Sequence, residues 1–324
     1  MSEPLLQRAA ALLRPVPDFP IPGILFWDIA PVLRDHEVVA HLVELMVERW
    51  KDEQIDVVAG FDARGFIFGP LLAQRLGVAF EQIRKKGKLP GTTIEQKYDL
   101  EYGKGSVLEM IDDGFIAGKN VLLLDDLLAT GGTAWAGAKL VERLGGTVAG
   151  FACITELPEL AGRSKLMKYP IQSLISVIEG AAHVEVEYCV DLLAFDQRTS
   201  DLLLINRLNE PRGLAMPGGR IEFESLLAAG LRELREETGC SFPSDCVLFH
   251  SVLTKPGRDP RGIKVSYVLL VLSDTSDPRA EPGKTEIMKY SKADGLPDRS
   301  LFVLGHEVAV YAIPNVLKQF GMSS

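Results

Sequence analysis

Long apolar runs, cysteine pairs and a positive net charge are all missing from this sequence of 324 residues. No segment approaches the roughly 18 apolar residues of a membrane span. Residues 1–20 lack the apolar core and cleavage site of a signal peptide. The formal net charge of −9 argues against the phosphate backbone of a nucleic acid as a partner. We therefore expect a cytoplasmic protein that binds neither membranes nor nucleic acids.

Cysteine is scarce and poorly placed for metal chemistry. The four cysteines form no CxxC pair, and none lies near a histidine at zinc-ligand spacing: Cys153, Cys189, Cys240 and Cys246. We expect reduced thiols rather than disulfides. Anionic small molecules remain candidate ligands in spite of the negative net charge, because local loops and bound metals outweigh the global field.

At 324 residues the chain is long enough for two domains, each with its own core, and its hydrophobic fraction of 47% is that of an ordinary globular protein. Up to about residue 180, helical patterns alternate with continuous apolar strands, which predicts an α/β domain with a mostly parallel sheet flanked by helices. Within it, residues 84–105 are polar and lack core periodicity, which predicts a long loop that is either functional or disordered.

The pattern changes after a predicted short linker at residues 179–183. Several strands follow with one strongly helical segment at residues 225–237, and the sequence ends in a predicted helix interrupted by Pro314. This composition predicts an α+β domain with a mixed sheet. We therefore place the two domains at residues 1–180 and 181–324.

Two adjacent aspartates end a buried strand in VLLLDDLLATGGT, residues 121–133. Ligands of open parallel sheets bind beyond the carboxyl ends of the strands, where Asp125 and Asp126 stand. The turn that follows opens a helix, so its N–H groups and the helix dipole can hold a phosphate. The residues of this predicted phosphate loop are Ala129, Thr130, Gly131, Gly132 and Thr133. The two carboxylates can then accept hydrogen bonds from sugar hydroxyls, directly or through Mg²⁺, which describes ribose 5-phosphate as a ligand.

This stretch resembles the phosphoribosyl diphosphate (PRPP) binding motif of type I phosphoribosyltransferases. Other segments narrow the resemblance to the adenine enzymes: PDFPIPGILFWDIAPVL at 17–33, GFDARGFIFGPLLAQRLG at 60–77, RKKGKLPG at 84–91 and YDLEYG at 98–103. The resemblance implies that adenine and PRPP yield AMP and pyrophosphate, with Mg²⁺, in a homodimer.

The same resemblance implies roles for individual residues. Asp62, Ala63 and Arg64 correspond to the pyrophosphate loop, in which a cis peptide bond would fall between Asp62 and Ala63. Phe26 and Trp27 lie in the segment that resembles the purine-contacting one, although Trp27 stands where the family often has a basic residue.

Basic residues resembling those around the pyrophosphate, some reaching in from a dimer partner, are Arg84, Lys85 and Lys88. Glu101, in this long loop, resembles the flap glutamate, a candidate proton donor or hydrogen-bonding partner for the purine ring. By this resemblance the catalytic residues are Arg64, Glu101, Asp125 and Asp126. They would assist a purine nitrogen that displaces pyrophosphate from the sugar.

A cluster of glutamates defines a second motif, GGRIEFESLLAAGLRELREETGC at residues 218–240. On a helix, Glu233, Glu236 and Glu237 are spaced i, i+3 and i+4 and share a face. At about 100° per residue, Glu237 falls inside the edge of the apolar stripe. Its carboxylate needs a partner there, and hard divalent cations favour clustered oxygens. The simpler alternative, an amphipathic helix with glutamate–arginine pairs, does not explain this position.

The spacing matches the Nudix box at every fixed position, which implies a Nudix fold. The implied ligands of Mg²⁺ or Mn²⁺ are Gly218, Glu233, Glu236 and Glu237, with Glu237 also counted as catalytic. Arg232 and Glu224 would orient them. The implied reaction is hydrolysis of a nucleoside diphosphate derivative by metal-activated water.

Residues 257–262, GRDPRG, resemble Nudix enzymes that act on ADP-ribose and also Nudix-like regulatory domains. Three hypotheses therefore stay open for the second domain: hydrolysis of an ADP-ribose-like substrate, nucleotide sensing that controls the first domain, or hydrolysis of PRPP. The intact glutamate cluster favours catalysis, because a sensor does not need it. We interpret the chain as a bifunctional purine-salvage enzyme.

Overall fold

The computed structural model describes residues 3–100, 103–196, 201–259, 261–273, 278–280, 282–290, 297–302 and 306–310. The chain divides into two compact units, Met1–Glu185 and Val186–Ser324. The division follows residue 185, whereas the sequence analysis placed it after residue 180. Among the described residues, no helix combines the length and the apolar character needed to cross a membrane.

The first unit consists of helices and strands in alternation. The helices are α1 (Glu3–Leu12), α2 (Ala30–Leu33), α3 (His36–Trp50), α4 (Gly65–Leu76) and α5 (Gly132–Arg143). The strands are β1 (Arg14–Pro17), β2 (Leu25–Asp28), β3 (Val57–Phe61), β4 (Ala79–Lys85), β5 (Thr93–Leu100), β6 (Gly103–Ile111), β7 (Asn120–Leu128), β8 (Thr147–Glu156), β9 (Ile171–Ile178) and β10 (Ala181–His183).

One eight-stranded sheet carries this unit, in the order β10-β9-β8-β7-β3-β4-β6-β5. The strands from β9 to β4 are mutually parallel, and the outer strands β10, β6 and β5 pair antiparallel. The mostly parallel sheet predicted from the sequence is confirmed. Because β7 lies in the middle of the parallel part, its carboxyl end has neighbours on both sides.

Helix α3 shows how the sequence specifies its covering helices. The carboxylate of Asp35 caps the first turn by accepting the N–H of Val38 at 3.2 Å. Val38, Leu42 and Met46 follow at four-residue spacing and are completely buried in the core between this helix and the sheet.

The predicted long loop over residues 84–105 is wrong in part, because β5 and the start of β6 form an antiparallel hairpin there. Ile94 pairs with Met110, and Tyr98 is buried at the other end of the same face. Gln96 lies between them on that face. Since a polar residue interrupts the apolar alternation, the period of a strand is lost in the sequence.

The predicted linker at residues 179–183 is also wrong in part. Ala181–His183 forms β10, which pairs antiparallel with β9 after a turn with positive φ at Glu179 and Gly180. Three residues are too few to show a two-residue period.

The second unit is built on a seven-stranded mixed sheet. Its strands are β11 (Glu187–Asp196), β12 (Leu202–Arg207), β13 (Gly213–Ala215), β14 (Gly218–Arg220), β15 (Val247–Leu253), β16 (Lys264–Ser273) and β17 (Thr285–Tyr290), and its α-helices in the described residues are α6 (Leu226–Thr238) and α7 (Glu307–Val310). Strands β11 and β16 are parallel and the other pairs are antiparallel. This confirms the predicted α+β unit.

Helix α6 begins after Ser225, whose side chain accepts the N–H of Ala228 at 3.1 Å, and ends at Gly239, where φ is 69°. It packs against β11 and β14. Pro314 and most of the predicted C-terminal helix lie outside the described residues. All four cysteines are described and are free thiols, as expected.

Candidate active sites

The paired aspartates lie near the carboxyl end of β7, which runs two residues further, to Leu128, than the sequence predicted. Asp126 is only 6% exposed, and its N–H donates to Oδ1 of Asp125 at 2.9 Å. Burial raises the pKa of both carboxyls, and the charge of Asp126 raises the pKa of Asp125 further. Nη1 of Arg64 lies 2.7 Å from Oδ2 of Asp126 and opposes the shift there. A buried pair of this kind favours a ligand that donates hydrogen bonds or brings positive charge.

The phosphate loop that follows ends at the N-terminus of α5. Gly131 is the N-cap residue, with φ of 75°, which a residue with a Cβ rarely adopts. Within the described residues no side chain caps this terminus, and no acidic residue stands in the first turn. The first N–H groups of α5 therefore lie at the positive end of the helix dipole and have no built-in acceptor. Such a site suits an anion. Tyr98 forms a hydrogen bond with the Thr133 side chain and links β5 to this helix.

The predicted pyrophosphate loop follows β3. The Asp62–Ala63 peptide bond is cis, as the family resemblance implied. Nε of Arg84 donates to Oδ2 of Asp62 at 3.2 Å, and Nη1 of Arg84 donates to the carbonyl oxygen of Lys88 at 3.3 Å. These contacts bring the loop and the basic segment together. Lys85 and Lys88 are exposed beside it.

The two aromatic residues of the predicted purine segment point in different directions. Phe26 is half-buried, and the guanidinium of Arg64 lies over its ring at 5.3 Å from the centroid. Trp27 faces the opposite side of β2 and is buried in the hydrophobic core. The structure therefore brings Phe26, Arg64 and Asp126 together, whereas the indole of Trp27 lies away from them. Glu101 lies outside the described residues.

Glu109 on β6 is a supporting residue that sequence reasoning missed. It is buried, and its Oε1 accepts the N–H groups of Lys88 at 2.7 Å and Leu89 at 2.8 Å. Burial by itself raises the pKa of Glu109, but these backbone hydrogen bonds, with one from Gly87, lower it overall. The carboxylate thus anchors the segment that carries the predicted basic residues. The one signal for this role in the sequence was that Glu109 stands between two apolar residues, both of which are buried in the structure.

In the second unit, the start of the box meets the end of α6. The N–H of Gly218 donates to Oε2 of Glu237 at 2.8 Å. Glu237 is 8% exposed, which confirms its predicted place inside the apolar stripe. Burial raises the pKa of Glu237 to about 8, and the charges of Glu233 and Asp191 add to the shift. A carboxylate so short of positive charge fits a divalent cation.

Arg232 lies among the remaining glutamates. Its guanidinium is 2.6 Å from Oε1 of Glu224, 2.6 Å from Oε1 of Glu233 and 3.3 Å from Oε2 of Glu236. In the described part of the chain, no three histidine, cysteine, aspartate or glutamate side chains converge as a ready-made metal cage. The oxygen-rich donor set suits Mg²⁺ or Mn²⁺ by its chemistry. In this structure Arg232 provides the positive charge beside Glu224, Glu233 and Glu236.

A second supporting group, Asp191 and His306, was also missed. Both are buried, with Nε2 of His306 at 3.4 Å from Oδ2 of Asp191. Nδ1 of His306 accepts the N–H of Met216 at 2.9 Å, so the ring proton lies on Nε2 and faces the aspartate. Asp191 is also the strand partner of Gly218. The pair therefore supports the turn that leads into the box.

Comparison with known proteins agrees with the division of the chain into two units. Residues 31–188 match the phosphoribosyl transferase domain model, and residues 187–299 match the NUDIX domain model. Adenine phosphoribosyltransferase 1 of Triticum aestivum is 48% identical over 178 residues, which are 55% of this chain and 98% of that protein. The chain belongs to the adenine phosphoribosyltransferase family.

Other members of the adenine phosphoribosyltransferase family are similar to the same part of the chain. The Methylibium petroleiphilum protein is 51% identical over 51% of this chain and 84% of its own length. The crystal structure of the Thermoanaerobacter pseudethanolicus enzyme has 47% identity and a TM-score of 0.51, covering 53% of this chain and 99% of that one. The Trypanosoma brucei enzyme, solved with AMP, pyrophosphate and ribose-5-phosphate, has 29% identity and a TM-score of 0.51, covering 53% and 79% of the two chains. About half of the present chain, including the Nudix unit, is additional to these relatives.

Proposed function

We propose that the chain is a bifunctional purine-salvage enzyme. Its first unit joins adenine to the ribose of PRPP and releases AMP and pyrophosphate. Its second unit hydrolyses a nucleoside diphosphate derivative of the ADP-ribose type. The observation that supports the first activity best is the pair Asp125 and Asp126, linked to Arg64 beside an uncapped helix terminus.

In the first unit, the 5-phosphate of PRPP binds the N–H groups and hydroxyls of Ala129–Thr133. The carboxylates of Asp125 and Asp126 accept hydrogen bonds from the ribose hydroxyls. Adenine binds beside Phe26, and Glu101 donates a proton or a hydrogen bond to the purine ring. Next to Phe26, Trp27 contributes its backbone to the adenine site, since its indole is buried in the core.

The reaction breaks the bond from ribose C1 to the pyrophosphate oxygen, forms a bond from C1 to a purine nitrogen, and removes the proton of that nitrogen. Positive charge develops on the ribose and negative charge on the leaving group. The pyrophosphate is stabilised by Arg64, by the N–H groups near Asp62 and Ala63, and by a group of basic residues comprising Arg84, Lys85 and Lys88. Mg²⁺, when bound, supplies further positive charge to the pyrophosphate.

In the second unit, Glu233, Glu236 and Glu237 hold Mg²⁺ or Mn²⁺ together with the backbone at Gly218. Glu224 and Arg232 orient the glutamates. A bound metal ion would supply a nucleophilic water for hydrolysis of the diphosphate. ADP-ribose and water then give AMP and ribose 5-phosphate. The raised pKa of the buried Glu237, about 8, supports a cation as its missing partner.

We further propose a homodimer in which basic residues of one subunit reach the pyrophosphate of the other. The exposure of Lys85 and Lys88 is consistent with this arrangement. Light scattering on the purified protein tests it, and a monomer at micromolar concentration would refute it.

One set of assays tests both activities. Purified protein with Mg²⁺ is given adenine plus PRPP, ADP-ribose, and PRPP alone. Asp126→Asn should abolish AMP formation from adenine and spare ADP-ribose hydrolysis, while Glu237→Gln should do the reverse. Hydrolysis that survives Glu237→Gln would show that the metal assignment is wrong. An ADP-ribose that is not consumed but changes the rate of AMP formation would indicate a sensor instead.

A further inference from the structure

A buried ion pair lies next to the phosphate loop and has no role in the chemistry above. Glu156 at the end of β8 is completely buried, and Arg163 is 5% exposed in the short 3₁₀-helix Gly162–Leu166. Nε of Arg163 donates to Oε1 of Glu156 at 2.9 Å, and Nη2 donates to Oε2 at 2.8 Å. Two parallel bonds fix both the distance and the orientation of the guanidinium.

The residue before Arg163 is in backbone contact with the phosphate loop. A Cβ added to Gly131 would overlap the carbonyl oxygen of Gly162. In the other direction, a Cβ added to Gly162 would overlap the carbonyl oxygen of Ala129. The loop therefore rests on Gly162 and cannot shift towards it without moving the turn at Gly162.

That turn is held in an unfavourable conformation. Ala161 has φ of 53°, in the left-handed region that a residue with a Cβ rarely adopts. Such a conformation persists where the surrounding structure imposes it. The ion pair supplies that constraint two residues later, and Oγ of Ser173 accepts a further hydrogen bond from Nη2 of Arg163 at 3.2 Å.

We infer that Glu156 and Arg163 are positioning residues for phosphate binding. They hold Ala161 and Gly162 as a rigid platform under the loop, so that the N–H groups at the start of α5 converge before the ligand arrives. This inference rests on the proposed phosphoribosyl transfer, and the ligand concerned is the phosphate monoester of PRPP. Neither side chain contacts the substrate.

Arg163→Lys tests this role, because lysine keeps the charge but cannot form two parallel bonds. We expect the KM for PRPP to rise about tenfold or more, with the KM for adenine and kcat changed by less than about twofold. Calorimetry with ribose 5-phosphate should show the same loss of affinity. Gly162→Ala, which leaves the ion pair intact but pushes on Ala129, should raise the KM for PRPP in the same way.

Gln172→Ala is the matched control. Gln172 neighbours Ser173 on β9 but accepts a hydrogen bond from Nε1 of Trp50 at 2.9 Å. Its loss should lower the melting temperature and leave the KM for PRPP unchanged. If Arg163→Lys and Gly162→Ala also lower only the melting temperature, the pair is merely structural and the inference is overturned.

Failure of this inference can be distinguished from failure of the proposed transferase function. A wild-type chain that binds ribose 5-phosphate but makes no AMP would refute the transferase proposal, and calorimetry on the same variants would still decide the role of the platform. A wild-type chain that does not bind ribose 5-phosphate would overturn the inference. If Arg163→Lys does not fold, Ser173→Ala, which removes one hydrogen bond of Arg163, carries the test of the ion pair, with a smaller rise in the KM for PRPP expected. Gly162→Ala then tests the contact of the turn with the loop alone.

Discussion

Glu237 gives a prediction about stability whose sign follows from its surroundings. Burial raises the pKa of its carboxyl from 4.5 to about 8 in the folded chain. Between these values the folded state keeps a proton that the unfolded state has released, so stability falls as the pH rises through this window and is constant above it. At about 1.4 kcal/mol per pH unit, the destabilisation above pH 8 is at most about 5 kcal/mol.

Glu237→Gln removes the titrating group and keeps an oxygen that can accept the N–H of Gly218. We expect the free energy of unfolding of the metal-free second unit to rise by up to about 5 kcal/mol at pH 8 and above. At pH 5, variant and wild type should differ by less than about 1 kcal/mol. Saturating Mn²⁺ should stabilise the wild type, because the cation favours the ionised carboxylate, and should stabilise the variant far less.

Urea unfolding in EDTA between pH 5 and 9 measures this effect. The three tryptophans, Trp27, Trp50 and Trp135, all lie in the first unit. Their fluorescence follows that unit alone, while far-ultraviolet circular dichroism follows both. Glu222→Gln, at an exposed position of the same box, is the control and should leave the pH profile unchanged. Parallel profiles for wild type and Glu237→Gln would refute the reasoning.

Three further predictions concern the phosphate loop and the metal. Gly131→Ala should lower kcat/KM for PRPP by about 100-fold, because its Cβ would overlap Gly162. Gly77→Ala, with a similar φ of 72° but nothing within 4 Å of the new Cβ, should cost only about 1 kcal/mol of stability. Equal kinetics of these two variants would contradict the close contact. Tyr98→Phe should raise the KM for PRPP about fivefold, by loss of one hydrogen bond to Thr133. EDTA should stop both reactions without unfolding the chain, as followed by circular dichroism, and excess Mg²⁺ should restore them.

Features with a local cause were predictable from the sequence. An abrupt change from leucines to Asp125 and Asp126 marks the last part of β7, although the strand runs on for two residues to Leu128. Helical spacing alone put Glu237 inside the apolar stripe of α6. In each case the functional side chain belongs to the same short segment whose pattern predicts the strand or the helix.

Features that depend on distant segments were not predictable. Glu109 acts on Lys88 across a strand pairing, and His306 reaches Asp191 from a remote part of the chain. No spacing rule connects such residues. The direction of Trp27 also escaped prediction, because β2 is a short strand and either face of it was compatible with the sequence.

Arg232 has a consequence for how the second unit meets its metal. A guanidinium that contacts Glu224, Glu233 and Glu236 acts as an internal counter-ion, whose single positive charge offsets one of the three negative charges. Repulsion among these carboxylates is therefore reduced before any cation arrives, unlike in small zinc modules that are unfolded without their ion. The supply of divalent ions in the cell would accordingly set the fraction of second units that are active at any moment, and the bound ion would add stability to a unit that already folds without it.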